Sequence, residues 1–446
     1  MQEMLVEEVV SSPTKTSQTG SGFGRKRIIA LCCVLAVSAV TMMAALGPAG
    51  FGWDAQAYGK AIHSLRQGSD PYADALAEQK AFHEQPPSVR SAHHPFTYIY
   101  PPLTLPLLRL AAILPDKLLV VLFGTALAAG FLLQLWAGFQ MATKDERRWL
   151  PVMLPFVAFF PGLLSSDIIL SGNVAFILNG LLLATAVIGW KRGRWFWYYG
   201  AVLAAAMFKP PALTLLLFPL LVGRKQWLSA CAAAMAGLFL FSAQVRIWPE
   251  LFREHLLVVQ AEFDWNHHFG LGPAGMVANA LWKSHRPYLL PAAVVYVAFA
   301  TLLVIALLML SRRVRIEKIA MQSWVPIALI GTFLLNPRLV VYDVAAVTVP
   351  MLLIGWRGLR SLQDGSGFLN NNALTRRHPD LSFVLFGLGC FVTLNVVAGT
   401  GEAWQVVELV VLMVVLALGI WLLGRPTVEH PAGAVSASLL QETYSD

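Results

Sequence analysis

The sequence predicts an all-α polytopic membrane protein, and three observations carry this. Of its 446 residues, 57% are hydrophobic and 13% charged, where a soluble domain carries about 25% charged residues. Mean hydropathy is +0.62. Apolar runs of about 17–25 residues recur along the whole chain, each long enough to cross a bilayer as a helix. A membrane β-barrel would show short alternating segments instead.

The net charge of +8 does not point to nucleic acid. Most Lys and Arg stand in short clusters between apolar runs, which is a topology signal. Cys32, Cys33, Cys231 and Cys390 all lie inside apolar runs, against a disulfide framework or a cysteine-based metal site. There is no Walker A motif, Rossmann glycine fingerprint or GxSxG, so a nucleotide-driven pump is not indicated and no cofactor is expected.

Along the chain, residues 1–24 are polar and Ser/Thr/Gly-rich and read as a disordered cytoplasmic tail. Arg25, Lys26 and Arg27 precede the apolar run 28–47. Without a small-x-small cleavage site, that run reads as a retained first helix rather than a signal peptide. Residues 48–100 form a first outer loop. The segment "PPLTLPLLRLAAILP" at 101–115 is short, proline-rich and carries Arg109. It reads as re-entrant or interfacial, with 117–142 as the next full span. An irregular backbone there requires cover by protein.

This threading gives about twelve crossings and puts the basic clusters at 191–195, 224–225, 312–318 and 357–380 on the inner side. Lys209 interrupts the apolar stretch 196–222 with "KPP", predicting two short helices that meet at an outer turn. "SSDIILSGN" at 165–173 and "NPR" at 336–338 are further outer turns, and 249–286 is the second outer loop. The membrane domain runs 25–426, followed by a cytoplasmic tail at 427–446.

Polar chemistry collects in the two outer loops. Of the ten histidines, His63, His83, His93, His94, His255, His267, His268 and His285 lie there. Asp54 stands at the start of a short helix whose apolar stripe is Ala57, Tyr58, Ala61, Ile62 and Leu65, an amphipathic pattern suited to the membrane interface. Asp54 is either the cap of that helix or a general base at the membrane surface. Gly68 ends the helix, and Asp70 before Pro71 caps the next one.

Other polar residues carry weaker signals. Asn173 after "SG" fits a helix cap or an interhelical hydrogen bond. Lys209, within an apolar stretch, is costly and therefore a functional candidate, able to hold a phosphate as a point charge. Arg338 in "NPRLVVYD" shares that logic, with Asp343 as its expected partner. The adjacent His267 and His268 suit phosphate or sugar oxygens better than a metal, since no HExxH or Cys/His spacing accompanies them; the plainer alternative, which the residues favour, is an aromatic-rich loop packing on the membrane.

In order, these pieces are Asp54 and Tyr58 after the first helix, "GSDPY" at 68–72, "YPPL" at 100–103 and Gly172-Asn173 entering a span. "KPP" at 209–211 then precedes an apolar run ending in "GRKQW". This order resembles glycosyltransferase family 87, within the GT-C fold, from about residue 25 to 356. The resemblance implies an enzyme of the bacterial inner membrane, active on the periplasmic face. It implies transfer of a sugar, usually mannose, from a polyprenyl-phosphate donor to a lipid-linked or envelope glycan acceptor, with inversion. It puts the base at Asp54 and substrate contacts at Tyr58, Tyr100, Asn173 and Lys209, to which the outer-face position of their loops adds Arg338, His267 and His268. The family often has Gly-Gln where this chain has Gly172-Asn173. Two rival classes stay open. A glycan transporter or flippase would show ionisable residues in mid-span and repeat symmetry. A non-catalytic envelope-polysaccharide assembly protein would share the fold.

Overall fold

The computed structural model describes residues 28–29, 32, 52–86, 95–159, 171–223, 225–266, 269–365, 389 and 402–424. The expected tails, most of the first apolar run, His93, His94, His267 and His268 lie outside these residues. Every element among the described residues is helical. Four helices among these residues are long and apolar enough to cross a membrane: α4 (Asp116–Met141), α6 (Ala175–Arg192), α9 (Trp227–Ile247) and α12 (Leu289–Ile316).

Residues 52–86, within the expected first outer loop, fold into two helices as the sequence predicts. α1 (Trp53–Gln67) buries Ala57 and Ala61 of its stripe, and Gly68 closes it in the left-handed conformation. Asp70 caps α2 (Pro71–Glu84), accepting a 2.8 Å hydrogen bond from Tyr72 N. Tyr72, fully buried, donates to the carbonyl of Tyr100 at 2.6 Å. This fixes the extended stretch 95–101 against both helices.

Residues 101–115 differ from the irregular segment expected. They form a 3-10 turn (Pro102–Thr104) and α3 (Leu105–Ala112). Eight residues span only about 12 Å, too short to cross. α3 packs on α1, while Leu107, Leu110 and Ile113 stay exposed. No protein cover is needed, because a helix satisfies its own backbone and Arg66 takes the open end. Its guanidinium donates to the carbonyls of Ala112 and Leu114 and pairs with Asp116 at 2.6 Å. α4 therefore starts at the same end as α1.

The bundle core sits between α4, α6, α7 (Phe196–Phe208), α8 (Leu217–Val222) and α13 (Met321–Phe333), with Trp324, Tyr198, Phe218 and Leu183 fully buried. Gly130 of α4 and Gly180 of α6 face each other so closely that a Cβ on Gly180 would lie 2.3 Å from the Gly130 carbonyl. Small residues permit such approach between membrane helices.

Lys209 breaks the helix as the sequence predicted. Its backbone is extended, a 3-10 helix (Pro210–Leu216) follows, and the chain turns back into α8. Tyr198, near the start of α7, donates to Leu215 O at 3.1 Å, so the two arms lie antiparallel.

Polar groups divide between two ends. At one end Arg357 of α15 (Thr348–Gly365) pairs with Glu146 of α5 (Lys144–Phe159) at 2.7 Å. Lys191 donates to Gln140 there, and Arg315 to the carbonyls of Leu220, Leu221 and Gly223. Asp54, the 171–173 turn, Lys209 and the 336–344 segment meet at the other.

Candidate functional site

Asp54 is not a helix cap. Gly52 occupies the cap position with no side-chain bond, and Asp54 sits in the first turn of α1. A carboxylate is favoured there by the helix dipole. Its side chain instead crosses to the turn before α6, where Asn173 Nδ2 donates to Oδ2 at 2.9 Å. The same asparagine accepts from Ala175 N through its other amide atom at 2.8 Å. That second bond orients the amide so that its NH2 faces the carboxylate.

Gly172 makes this approach possible. Its φ of +67° is a conformation that side chains rarely adopt, and an added Cβ would lie 3.1 Å from that of Ala55. Ser171 and Tyr342 also hydrogen-bond Asp54, and Lys209 adds a positive charge. Burial raises the carboxyl's pKa above its ordinary value, and those partners oppose the rise without cancelling it. Asp54 is thus a basic carboxylate held in place by three donors.

Tyr58, one turn along α1, shares a 3.0 Å hydroxyl contact with Tyr100 and accepts from Val174 N at 3.1 Å. Burial, followed by the neighbouring Tyr100 and Asp54, pushes the Tyr58 phenol well above its usual range. It stays neutral and serves as a fixed hydrogen-bonding group.

Lys209 Nζ pairs with Asp343 Oδ1 at 3.0 Å, between helix α7 and α14 (Val341–Val344). Asn336 Nδ2 and Val340 N hold the second oxygen at 2.9 and 3.2 Å. The expected Arg338–Asp343 pair across a helical turn is therefore corrected. Asp343 points its carboxylate to Lys209 because Asn336 and its own turn fix it there. Arg338 instead lays its guanidinium over Phe263 of α10 (Pro249–Asn266), 4.1 Å from the ring centre. Its Nε is buried and finds no hydrogen-bond partner among the described residues. Burial lowers its pKa, while Asp343, Glu262 and Tyr100 act against that.

The structure thus brings Asp54, Tyr58, Tyr100, Asn173, Lys209 and Arg338 to one end of the bundle; His267 and His268 lie outside the described residues. Sequence reasoning missed Tyr342. Its ring centre lies 5.7 Å from Lys209 Nζ and its side chain bonds Asp54, so it links the acid to the lysine. The signal was only its place in "VVYD", directly before Asp343. Among the described residues no group of His, Cys, Asp and Glu could hold a metal ion.

Among the described residues, fold and site define an all-helical arrangement with four helices long and apolar enough to cross a membrane and a charged, aromatic cluster at one end. No protein-family model matches the sequence, and no curated protein or solved structure matches it significantly.

Proposed function

We propose that this chain is a GT-C-like membrane glycosyltransferase with about twelve crossings, both termini cytoplasmic and its site on the outer face of the inner membrane. It moves a sugar, mannose in the first instance, from a polyprenyl-phosphate donor to a lipid-linked or envelope glycan. The acceptor hydroxyl attacks the anomeric carbon from the face opposite the phosphate. Asp54 takes the hydroxyl proton, the new C–O bond forms, and the bond to the phosphate oxygen breaks. The lipid phosphate leaves with the electron pair, and the anomeric centre inverts.

One observation supports this reading above the others: a buried carboxylate and two cationic side chains converge at one end of the bundle. Asp54 is hydrogen-bonded by Asn173 and feels the charge of Lys209, and Arg338 holds a buried Nε with no partner among the described residues. A base beside cationic side chains suits a reaction whose leaving group is an anion. Lys209 would hold the phosphate as a point charge and Arg338 through its planar fork. The apolar, exposed face of α3 supports an entry for lipid tails beside the cluster.

The test supplies purified, reconstituted protein with a panel of radiolabelled polyprenyl-phosphate sugars and a membrane extract. Sugar incorporation with release of polyprenyl phosphate is expected from one donor. Uptake of labelled lipid across the bilayer without bond cleavage would favour a transporter instead.

A further inference from the structure

We propose that the polar cavity between α1 and α2 is a subsite for a neutral sugar ring of the acceptor. This rests on the transferase reading and names the acceptor as a glycan of more than one ring. The cavity holds about 220 Å³, while those beneath Lys209 and beside Glu146 hold about 30 and 20 Å³. The smaller two suit a water or so. The larger one falls below the range of about 300–1,000 Å³ typical of drug-sized ligands, so its occupant is ring-sized.

The lining decides the ligand's chemistry. Lys60, His63 and Gln67 of α1 face Asp74 and Glu78 of α2, and Tyr98 forms part of the wall. The charges are already engaged: Lys60 pairs with Glu78 at 2.5 Å, and Asp74 accepts from Ser69 Oγ at 2.7 Å. Gln67 Nε2 lies 2.8 Å from His63 Nε2. Hydrogen bonds from Ser64 and Ser69 hold the Asp74 carboxyl below its ordinary value, so it stays an acceptor. Two carboxylates against one ammonium disfavour an anion. An ionised carboxylate has about four lone-pair sites, so Asp74 and Glu78 retain capacity for hydroxyl donors. An amide beside paired carboxylates and an aromatic wall suits a polyol.

Position ties the cavity to Asp54. Lys60 to Gln67 follow Asp54 on the same helix by six to thirteen residues, about 9–20 Å along the axis. The Tyr98 ring lies 5.6 Å from that of Tyr100, whose hydroxyl meets Tyr58. A short glycan could present its terminal hydroxyl to Asp54 and a preceding ring to the cavity along that wall.

The test uses the detergent-purified full chain and saturation-transfer NMR. The probes are mannose, glucose, galactose and their methyl glycosides, with inorganic phosphate as the charged control. Saturable binding of at least one sugar is expected, weakened about tenfold in Gln67→Ala and Asp74→Asn and unchanged in Asp54→Asn. Gln67 is exposed and touches only His63 among the described contacts, so its truncation leaves the fold intact. In transfer assays the same two variants should raise KM for a multi-ring acceptor and leave kcat unchanged. No saturable sugar binding, or binding indifferent to both variants, overturns the subsite even where wild-type transfer proceeds. Sugar binding by a wild type that transfers nothing overturns the transferase reading, and with it the acceptor role.

Discussion

Replacing Asn173 by alanine should move the acid limb of the transfer reaction to higher pH. Asn173 Nδ2 reaches Asp54 Oδ2 at 2.9 Å, a hydrogen bond that favours the ionised carboxylate. Such bonds to charged groups contribute about 1.5–3 kcal/mol, and one pKa unit is about 1.4 kcal/mol. Full loss corresponds to a slowing of about ten- to a hundredfold at a fixed pH on the limb. Ser171, Tyr342 and Lys209 still act on Asp54, so the lower end, about tenfold, is expected. The sign is fixed: burial already raises this group, and losing a partner of the charged form raises it further. Activity needs the ionised base, so at any pH on the limb the variant is slower. The assay is the pH dependence of kcat/KM, which reports the free enzyme's base, with infrared titration of the Asp54 carboxylate as an activity-independent check. Asn173→Ala also loses the bond from Ala175 N, costing about 1 kcal/mol of stability. Asn173→Ser keeps a capping oxygen without the amide, and should shift the limb with less thermal destabilisation. A limb that stays in place or moves to lower pH would refute the coupling of Asn173 to Asp54.

Two more outcomes concern the same cluster and a third the packing of α10 on α2. Lys209→Met should strand Asp343 and destabilise by about 3–5 kcal/mol at most, less for the partial exposure of Lys209. The double variant with Asp343→Leu should recover part of that in chemical denaturation, and additive losses would show the pair to be uncoupled. Arg338→Lys keeps the charge but loses the flat contact with Phe263 at 4.1 Å; a rise of about tenfold in donor KM is expected, and an unchanged KM would exclude Arg338 from donor binding. His255 is buried among Tyr72 and Phe252, and burial lowers its pKa to about 4. It folds neutral, so its contribution is complete above the unfolded value of about 6.5 and is lost as pH falls towards 4. Thermal melts of His255→Phe should show a flatter acid dependence than wild type between those values.

Helical class and many local features were legible because they are set by near neighbours in sequence. Gly68 and Asp70 act at the helix ends where the pattern put them. The double proline after Lys209 removes backbone donors, and the chain turns there. The segment 101–115 is harder to read. Its four prolines suggest an irregular path, yet Pro102 and Pro106 sit in first-turn positions where no donor is needed. Partners across the bundle were not legible at all. Asp54 was assigned a capping alternative because sequence reports only the chain around it. Its actual partners lie 119 residues away at Asn173 and beyond that at Tyr342. Asp343 was matched to the nearer cation, Arg338, whereas packing delivers Lys209, 134 residues distant.

The most direct measurement compares wild type with Asp54→Asn in proteoliposomes supplied with radiolabelled polyprenyl-phosphate mannose and a glycan acceptor. Asparagine keeps the size and hydrogen-bonding reach of the side chain but cannot take a proton. Polyprenyl phosphate should appear in step with transferred sugar for the wild type. The variant should fold, bind donor with unchanged affinity and lose transfer by at least about a hundredfold, the lower range for a general base. Transfer at the wild-type rate by the folded variant would contradict the assignment of Asp54 as the base.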